Sequence, residues 1–470
     1  MKSLFSHKTF VIALLGALAA VMAVSCSVTQ DVEKSRLVIP GRLVAGADDS
    51  LTIADRQWYA FYTDSALCKL IRLTLENNRD MLSAASKVEE LRRLYGVQKL
   101  NMLPTVTGVV GGSYETNDYH DEAFKKDPEY DFKATLGWEI DLWGGLSAAR
   151  RQAGAEYAAS VEDCRAMEMT LVAEVATAYF NLIALDTELT VVRHTLETRK
   201  ESVAMAKLRY EGGLTSETVY QQALVEYAST ASLVPALESR IEAARTAINL
   251  LTGRFPEAVF ERGTLMLDRT MPEKLPVGLP ATLLQRRPDI RAAAQRLKAA
   301  AAKVGVAWSD RFPSLRIGLT GGWENDDVPH LFQSPFSYVM GNISGTIFDF
   351  GRRKRRWQAS VAACEQARLA YEQTVLKAFK EVHDAVVAFN KTREAAELKG
   401  ALRDAALKYV KLATVQYQGG TLNYIDVLDA QRRYFDARIG VTNAVRDRYL
   451  AIVNLYKALG GGWTPGNLRD

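Results

Sequence analysis

The residues best equipped for chemistry in this 470-residue chain do not gather into a catalytic set. His7, His120, His194, His330 and His383 are scattered, and neither a Cys-x-x-Cys pair nor a His-Glu-x-x-His string is present. A metal site built from sequence neighbours therefore has little support, and no cofactor is expected. Cys68, Cys164 and Cys364 stand alone and odd in number, which argues for small buried hydrophobes over a disulfide framework. No acid, base and nucleophile come together by spacing, so an enzyme is not expected. Two charged groups remain. Asp426 and Asp429 lie three apart, hence on one helical face, where they are open to reading as solvated residues, helix caps or a paired acidic site. Arg352-Arg353-Lys354-Arg355-Arg356 suits lipid phosphates or a solvated helix start equally. No interleaved aromatics accompany that run, and a net charge of +4 is too small to imply a nucleic-acid partner.

The elements that must position these residues come in two copies. Sliding 75–112 against 284–321, a shift of about 209, pairs Leu75 with Leu284, Asp80 with Asp289, Gly96-Val97 with Gly305-Val306, Pro104 with Pro313 and Gly112 with Gly321. Further on, Asp141-Leu142 falls opposite Asp349-Phe350, and Tyr210-Glu211-Gly212-Gly213 opposite Tyr417-Gln418-Gly419-Gly420. The unit is a half-chain of roughly 200 residues, far longer than a solenoid repeat, so it predicts a duplicated architecture with an internal pseudo-twofold.

An address label precedes the repeats. Lys2 and Lys8 give a positive start, 10–24 is apolar, and Ala23-Val24-Ser25-Cys26 ends the stretch with small residues before a cysteine. This reads as a signal peptide, 1–25, whose removal leaves Cys26 at the mature N-terminus. The pattern resembles the bacterial lipoprotein signal, in which that cysteine is acylated; Ala23 stands where leucine is more usual. Acyl chains stabilise membrane attachment by about 0.8 kcal/mol per buried methylene, so a multiply acylated Cys26 is a firm anchor. Hydrophobic residues make up 48% and charged residues 24%, and nothing after residue 25 approaches the ~20 apolar residues of a membrane helix. If the mature chain enters a bilayer, it does so as strands.

Such strands are legible. Along 131–142, Phe132, Ala134, Leu136, Trp138, Ile140 and Leu142 alternate with Lys133, Thr135, Gly137, Glu139 and Asp141, the period of a β-strand. Its partner, 104–116, sets Val106, Val110 and Tyr114 against Thr105, Thr107 and Ser113, with a polar loop between the two. In the second half Leu315, Ile317, Leu319 and Trp323 alternate with Arg316, Gly318, Thr320 and Glu324, and Val339, Ile343 and Ile347 mark a fourth strand. Strands of ~10–13 residues cross a bilayer at a tilt. Periodicity alone equally allows a soluble sandwich, but Tyr114, Tyr130, Trp143, Trp323 and Tyr338 lie near strand ends, where interfacial belts form. Four strands cannot close a membrane barrel, since the smallest need about eight, so several copies must contribute.

After each hairpin the period changes. Segments 146–210 and 352–417 lack proline and hold little glycine, predicting two helices of ~64 residues, each about 95 Å long. Leu171, Val175, Ala178, Leu182 and Leu185, and likewise Val375, Phe379, Val382, Val386 and Phe389, follow heptad spacing. Gly212-Gly213 and Gly419-Gly420 end these helices at hairpin-tip turns, after which the chain returns over 216–252 and 423–460. Single helices are expected near 65–97 and 281–307. Pro256, Pro272, Pro276 and Pro280 mark a linker.

Three motifs carry a resemblance: Gln285-Arg286-Arg287-Pro288-Asp289-Ile290-Arg291-Ala292-Ala293 with Gln295-Arg296-Leu297; Phe312-Pro313-Ser314-Leu315; and the tip sequence from Tyr417 through Gly419-Gly420-Thr421-Leu422-Asn423-Tyr424-Ile425-Asp426-Val427-Leu428-Asp429-Ala430-Gln431. Together with the duplicated halves, the chain resembles the TolC-like outer membrane factor family, in its lipoprotein branch serving tripartite efflux systems of the RND type. Ala294 departs from the family's usual glutamate. The resemblance implies an α+β membrane protein: a homotrimer whose four strands per chain close a twelve-stranded outer-membrane β-barrel continuing into a long periplasmic α-helical barrel. The domains implied are the signal peptide 1–25; an extended anchor segment 26–64; a first repeat 65–255, with β-hairpin 104–142 and helical hairpin 146–252; the linker 256–280; a second repeat 281–460, with β-hairpin 313–350 and helical hairpin 352–460; and a tail 461–470.

It also implies a channel, closed where the helical tips meet around the axis. The positions matching that constriction are Tyr417, Asp426 and Asp429. Three copies place six carboxylates in a narrow mouth, which attracts cations and raises carboxylate pKa values by mutual repulsion. Some relatives carry an arginine after the turn, where this chain has Leu422, and the first-repeat counterpart of Asp426 is Val219. The lock is therefore expected to rest on apolar contact and on the second repeat. Partners implied are a periplasmic membrane-fusion adaptor, an inner-membrane pump and outer-membrane lipid. The rival reading is a periplasmic coiled-coil lipoprotein tethering envelope layers, which needs the helices but not lipid-compatible strands. The cargo is not legible; ten methionines without clustering make no case for a copper or silver exporter.

Overall fold

The computed structural model describes residues 37, 52–117, 120, 125–265 and 280–463. Cys26 and the signal peptide lie outside the described residues, as do parts of the anchor segment, linker and tail. In chain order the elements are α1 (Trp58–Phe61), α2 (Ser65–Asn77), α3 (Arg79–Leu100), β1 (Thr105–Asn117), β2 (Lys125–Ile140), α4 (Gly145–Glu211), α5 (Glu217–Leu251), α6 (Pro280–Arg286), α7 (Pro288–Ser309), β3 (Ser314–Asn325), β4 (Pro335–Ser344), α8 (Arg352–Gln418) and α9 (Tyr424–Ala458). The duplication shows in the lengths: α3 and α7 have 22 residues each, α4 and α8 have 67, and α5 and α9 have 35.

The described chain falls into two compact units. One comprises described residues of Lys87–Ser160 and Ala292–Glu372, the other those of Val38–Ser86, Val161–Arg291 and Gln373–Asp470. The first holds a four-stranded antiparallel sheet in the order β1-β2-β3-β4, so β2 and β3, one from each repeat, form the central pair. The apolar rows of this sheet face outward. Val106, Val110 and Val339 are 71%, 78% and 74% exposed, and Phe132, Leu136, Trp138, Leu319 and Ile343 join them. On the polar face the centre is covered: Thr320 is buried, and its hydroxyl lies 3.0 Å from that of Thr135. A soluble sandwich would bury the opposite face. The outer edges of β1 and β4 are left for neighbours, which three copies supply by closing a twelve-stranded barrel.

Three boundaries differ from those the sequence suggests. β2 starts at Lys125 and so absorbs residues read as loop, including Pro128 opposite Tyr114. Its pairing with β3 begins only at Tyr130, so Pro128 lies where β2 has a single neighbour and a missing N–H is tolerated. β4 ends at Ser344, leaving Ile347 beyond it, because the chain turns toward α8 through Phe350 and Gly351, both at positive φ. Each single helix before a hairpin is two. Asn78, at ψ 131°, ends α2 and caps α3, its Oδ1 accepting from the Asp80 and Met81 N–H groups at 2.9 and 3.1 Å. In the second repeat Pro288 restricts Arg287 and separates α6 from α7.

The second unit is helical, with its core along the heptad positions. Leu171, Val175, Leu182, Val375, Val382, Val386 and Phe389 are all buried, and Val175, Leu182, Val382, Val386 and Phe389 share one cluster with Leu67, Ile71, Ile248, Leu455 and Tyr456. Each such aliphatic side chain contributes about 1.5–3 kcal/mol by leaving water. α4 contains an 18-residue window apolar enough by mean hydropathy, 1.3, to cross a membrane, but 72% of it is buried in protein, as in a core helix. Arg287, 4% exposed, ties the start of α7 to its surroundings, donating to Asp289, to Glu381 at 2.6 Å and to the Ala458 carbonyl at 3.0 Å.

Candidate functional site

The two helical hairpins turn alike. After α4, Gly213 N–H donates to the Tyr210 carbonyl and Leu214 N–H to that of Arg209; after α8, Gly420 N–H donates to Tyr417 and Thr421 N–H to Gln416. These are Schellman closures, and they put Gly213 at φ 71° and Gly420 at φ 77°. Gly212 and Gly419 have no such requirement, so within each pair the second glycine is the one the turn demands.

Around the second turn, Tyr417, Leu422 and Tyr424 pack on Ala413, Val427 and Ala430 in a small apolar cluster. The Tyr417 ring lies 5.3 Å from that of Tyr424, and the Arg209 guanidinium of α4 stands 5.2 Å from its centre. Leu422 thus holds its own hairpin together by apolar contact. Asp426 sits in the first turn of α9, where its charge suits the helix dipole.

Asp429 is paired on its own helix. Arg433 Nε donates to its Oδ2 and Arg432 Nη2 to its Oδ1, both at 2.7 Å. Within the protomer Arg433 first and Arg432 second hold the carboxyl below its ordinary value. Any repulsion between copies acts against this pairing, and α9 presents two acids followed by two bases. The arginines at i+3 and i+4 are readable in the sequence as partners of Asp429.

A second group was not legible at all. Arg199 of α4, with a side chain 7% exposed, pairs with Glu226 of α5 at 2.9 Å. It also donates to the Glu226 carbonyl at 2.6 Å and to the Thr230 hydroxyl, and lies 5.5 Å from the Phe435 ring of α9. Arg432 reaches Glu226 at 4.0 Å while holding Asp429. A line Asp429–Arg432–Glu226–Arg199 therefore runs from the second hairpin into the first. Glu226 and Thr230 are four apart, but only the fold brings α4, α5 and α9 together.

Among the described residues no cluster of three or more potential metal ligands exists. Cys68, Cys164 and Cys364 are free thiols, each pushed up in pKa by burial, which suits inert packing groups.

The profile of the outer membrane efflux proteins matches residues 70–254 and 279–461, one segment for each half. The chain belongs to the outer membrane efflux protein family. This family member is 31% identical over 433 residues to the solvent efflux pump outer membrane protein SrpC of Pseudomonas putida, covering 90% of this chain and 92% of that one. It is 30% identical over 411 residues to the probable outer membrane lipoprotein SilC of Salmonella typhimurium, covering 87% and 88%. The solved structure of the outer-membrane channel OprN superposes with a TM-score of 0.84 at 28% identity, over 91% of this chain and 99% of that one. The protein is thus a trimeric outer-membrane channel component of an efflux system, built from a β-barrel and periplasmic helices. A tether does not need strands with an outward apolar face.

Proposed function

We propose that the second hairpin turn is the gate of this channel, with Tyr417, Asp426 and Asp429 lining the constriction of the homotrimer. The observation carrying this reading is Arg432, which holds Asp429 on its own helix and reaches Glu226 on the other hairpin. The outer part of that link is half exposed and worth up to about 1 kcal/mol per copy. Three copies bias the closed state by about 3 kcal/mol, roughly 150-fold, which a docking partner can overcome. Arg199, buried beneath, keeps Glu226 in place when the outer link parts.

In this reading a periplasmic membrane-fusion adaptor docks on the helical unit and breaks the Arg432–Glu226 contacts. Substrate driven by an inner-membrane pump then passes through without chemistry in the channel. Cys26, acylated, anchors the mature N-terminus in the membrane. Single-channel recording of Glu226→Gln tests the gate. Larger or longer openings than wild type are expected, and unchanged openings from an intact trimer contradict it.

A further inference from the structure

The residues after the last strand carry charge the fold does not require. α8 opens with Arg352-Arg353-Lys354-Arg355-Arg356, five cations at the end of a helix whose dipole opposes them. The first repeat supplies an internal control. Asp141 caps α4 by accepting from the Leu146 and Ser147 N–H groups at 2.9 and 2.8 Å. Asp349 caps α8 by accepting from Gly351 and Arg353 at 2.9 and 3.0 Å. Aligned on those aspartates, the five cations stand opposite Gly144, Gly145, Leu146, Ser147 and Ala148. The turn needs an aspartate and no cation.

Among the described residues only Arg353 of the run is engaged, donating to the Asp310 carbonyl and the Thr346 hydroxyl, both at 2.6 Å. Arg352, Lys354, Arg355 and Arg356 are exposed and make no side-chain hydrogen bond or ion pair among the described residues. Arg352 and Arg356 line an open cleft of about 630 Å³, whose apolar wall is Trp143 stacked on Phe312 at 4.7 Å. Of the carboxylates bordering it, Asp141 is spent on its cap and Glu139 is paired with Arg316 at 3.0 Å. Asp310 sets one negative charge against the two unpaired cations of the lining, Arg352 and Arg356. Just before the run, in the turn that follows β4, Ile347, Phe348 and Phe350 are fully or largely exposed.

Apolar strand, exposed aromatics, then cations is the order met on passing from acyl chains to headgroups. We propose that this rim docks anionic phospholipid of the periplasmic leaflet. Arg352 and Arg356 hold the headgroup phosphate by charge-assisted hydrogen bonds, and Phe348 and Phe350 sit among the acyl chains. The proposal rests on the outer-membrane placement of the strands. It makes one such site per protomer, since the five aligned positions of the first repeat are uncharged and its nearest cations, Arg150 and Arg151, lie further along α4.

Native mass spectrometry of the detergent-purified trimer, titrated separately with phosphatidylglycerol, phosphatidylcholine and inorganic phosphate, tests it. Surface cations contribute about a fivefold factor each, so Arg352→Gln/Arg356→Gln weakens phosphatidylglycerol binding roughly thirtyfold, while phosphatidylcholine binding and a Lys126→Gln control are unchanged. If the double variant loses its trimer, Arg356→Gln alone is read, with a fivefold loss expected. Equal phosphatidylglycerol affinity in variant and wild type overturns the proposal. So does inorganic phosphate binding as tightly as the lipid, which marks a free-anion site. Conductance of the same variant should be retained, which separates failure here from failure of the channel assignment.

Discussion

Val110 is the position at which a bilayer and water demand opposite outcomes. It lies near the middle of β1, opposite Phe132 of β2, and is 78% exposed on the apolar face of the sheet. In water, a lysine there would leave stability unchanged or raise solubility. At the midplane of a bilayer, a lysine on the lipid face of a barrel costs about 2–4 kcal/mol, a shift of roughly 30- to 900-fold in the folded ratio for each protomer. Thr107, on the other face of the same strand, is the matched control, since a lysine there meets the lumen. Urea unfolding of the trimer in phospholipid vesicles, followed through Trp138 and Trp323 fluorescence, measures both. The account predicts that Val110→Lys loses at least about 2 kcal/mol and Thr107→Lys less than 1. Equal stabilities, or the larger loss at Thr107, would refute the assignment of the faces.

Further expectations concern the helical unit. Arg199→Met leaves Glu226 without its buried partner and should cost about 3 kcal/mol in chemical denaturation, the low end for a broken buried pair because Glu226 is partly exposed; adding Glu226→Gln should recover most of it. Asp429 has a lowered pKa, so its pairing contributes above the unfolded value near ~3.9 and is lost only as pH falls through the lowered folded value. Gating recorded between pH 5 and 8 should therefore not change through Asp429, and a transition near neutrality that Asp429→Asn abolishes would contradict this. Gly420→Ala forces an L residue to φ 77° and should cost about 1 kcal/mol in thermal unfolding, while Gly419→Ala, with only ordinary contacts, should cost almost nothing. Leu422→Arg should destabilise the tip cluster and alter closure, and unchanged closure counts against an apolar lock.

Much of this fold is written locally, and its limits are physical. Alternation along 131–142 identifies two faces of β2, but period two is silent on which face meets solvent; that depends on whether the solvent is water or lipid. The paired tips were readable because Gly213 and Gly420 meet a local conformational demand. The break at Asn78 was missed because asparagine is an unremarkable surface residue until its side chain is seen capping α3 and reaching the Leu251 carbonyl at 2.9 Å. Of the proposed gate, Asp426 and Asp429 rest on family resemblance, whereas the pairing of Asp429 follows from arginines one turn on. Arg199 could not be found from spacing, because its partners belong to helices that meet only in the folded chain.

The most direct measurement is single-channel conductance of the purified trimer in planar bilayers, comparing wild type with Asp426→Ala/Asp429→Ala. The account predicts small, cation-selective steps that enlarge and lose selectivity in the variant, as the acidic mouth is removed and Arg432 and Arg433 are freed. Absence of conductance in both, with insertion shown by protease protection of the strands, would contradict a channel closed at the helical tip.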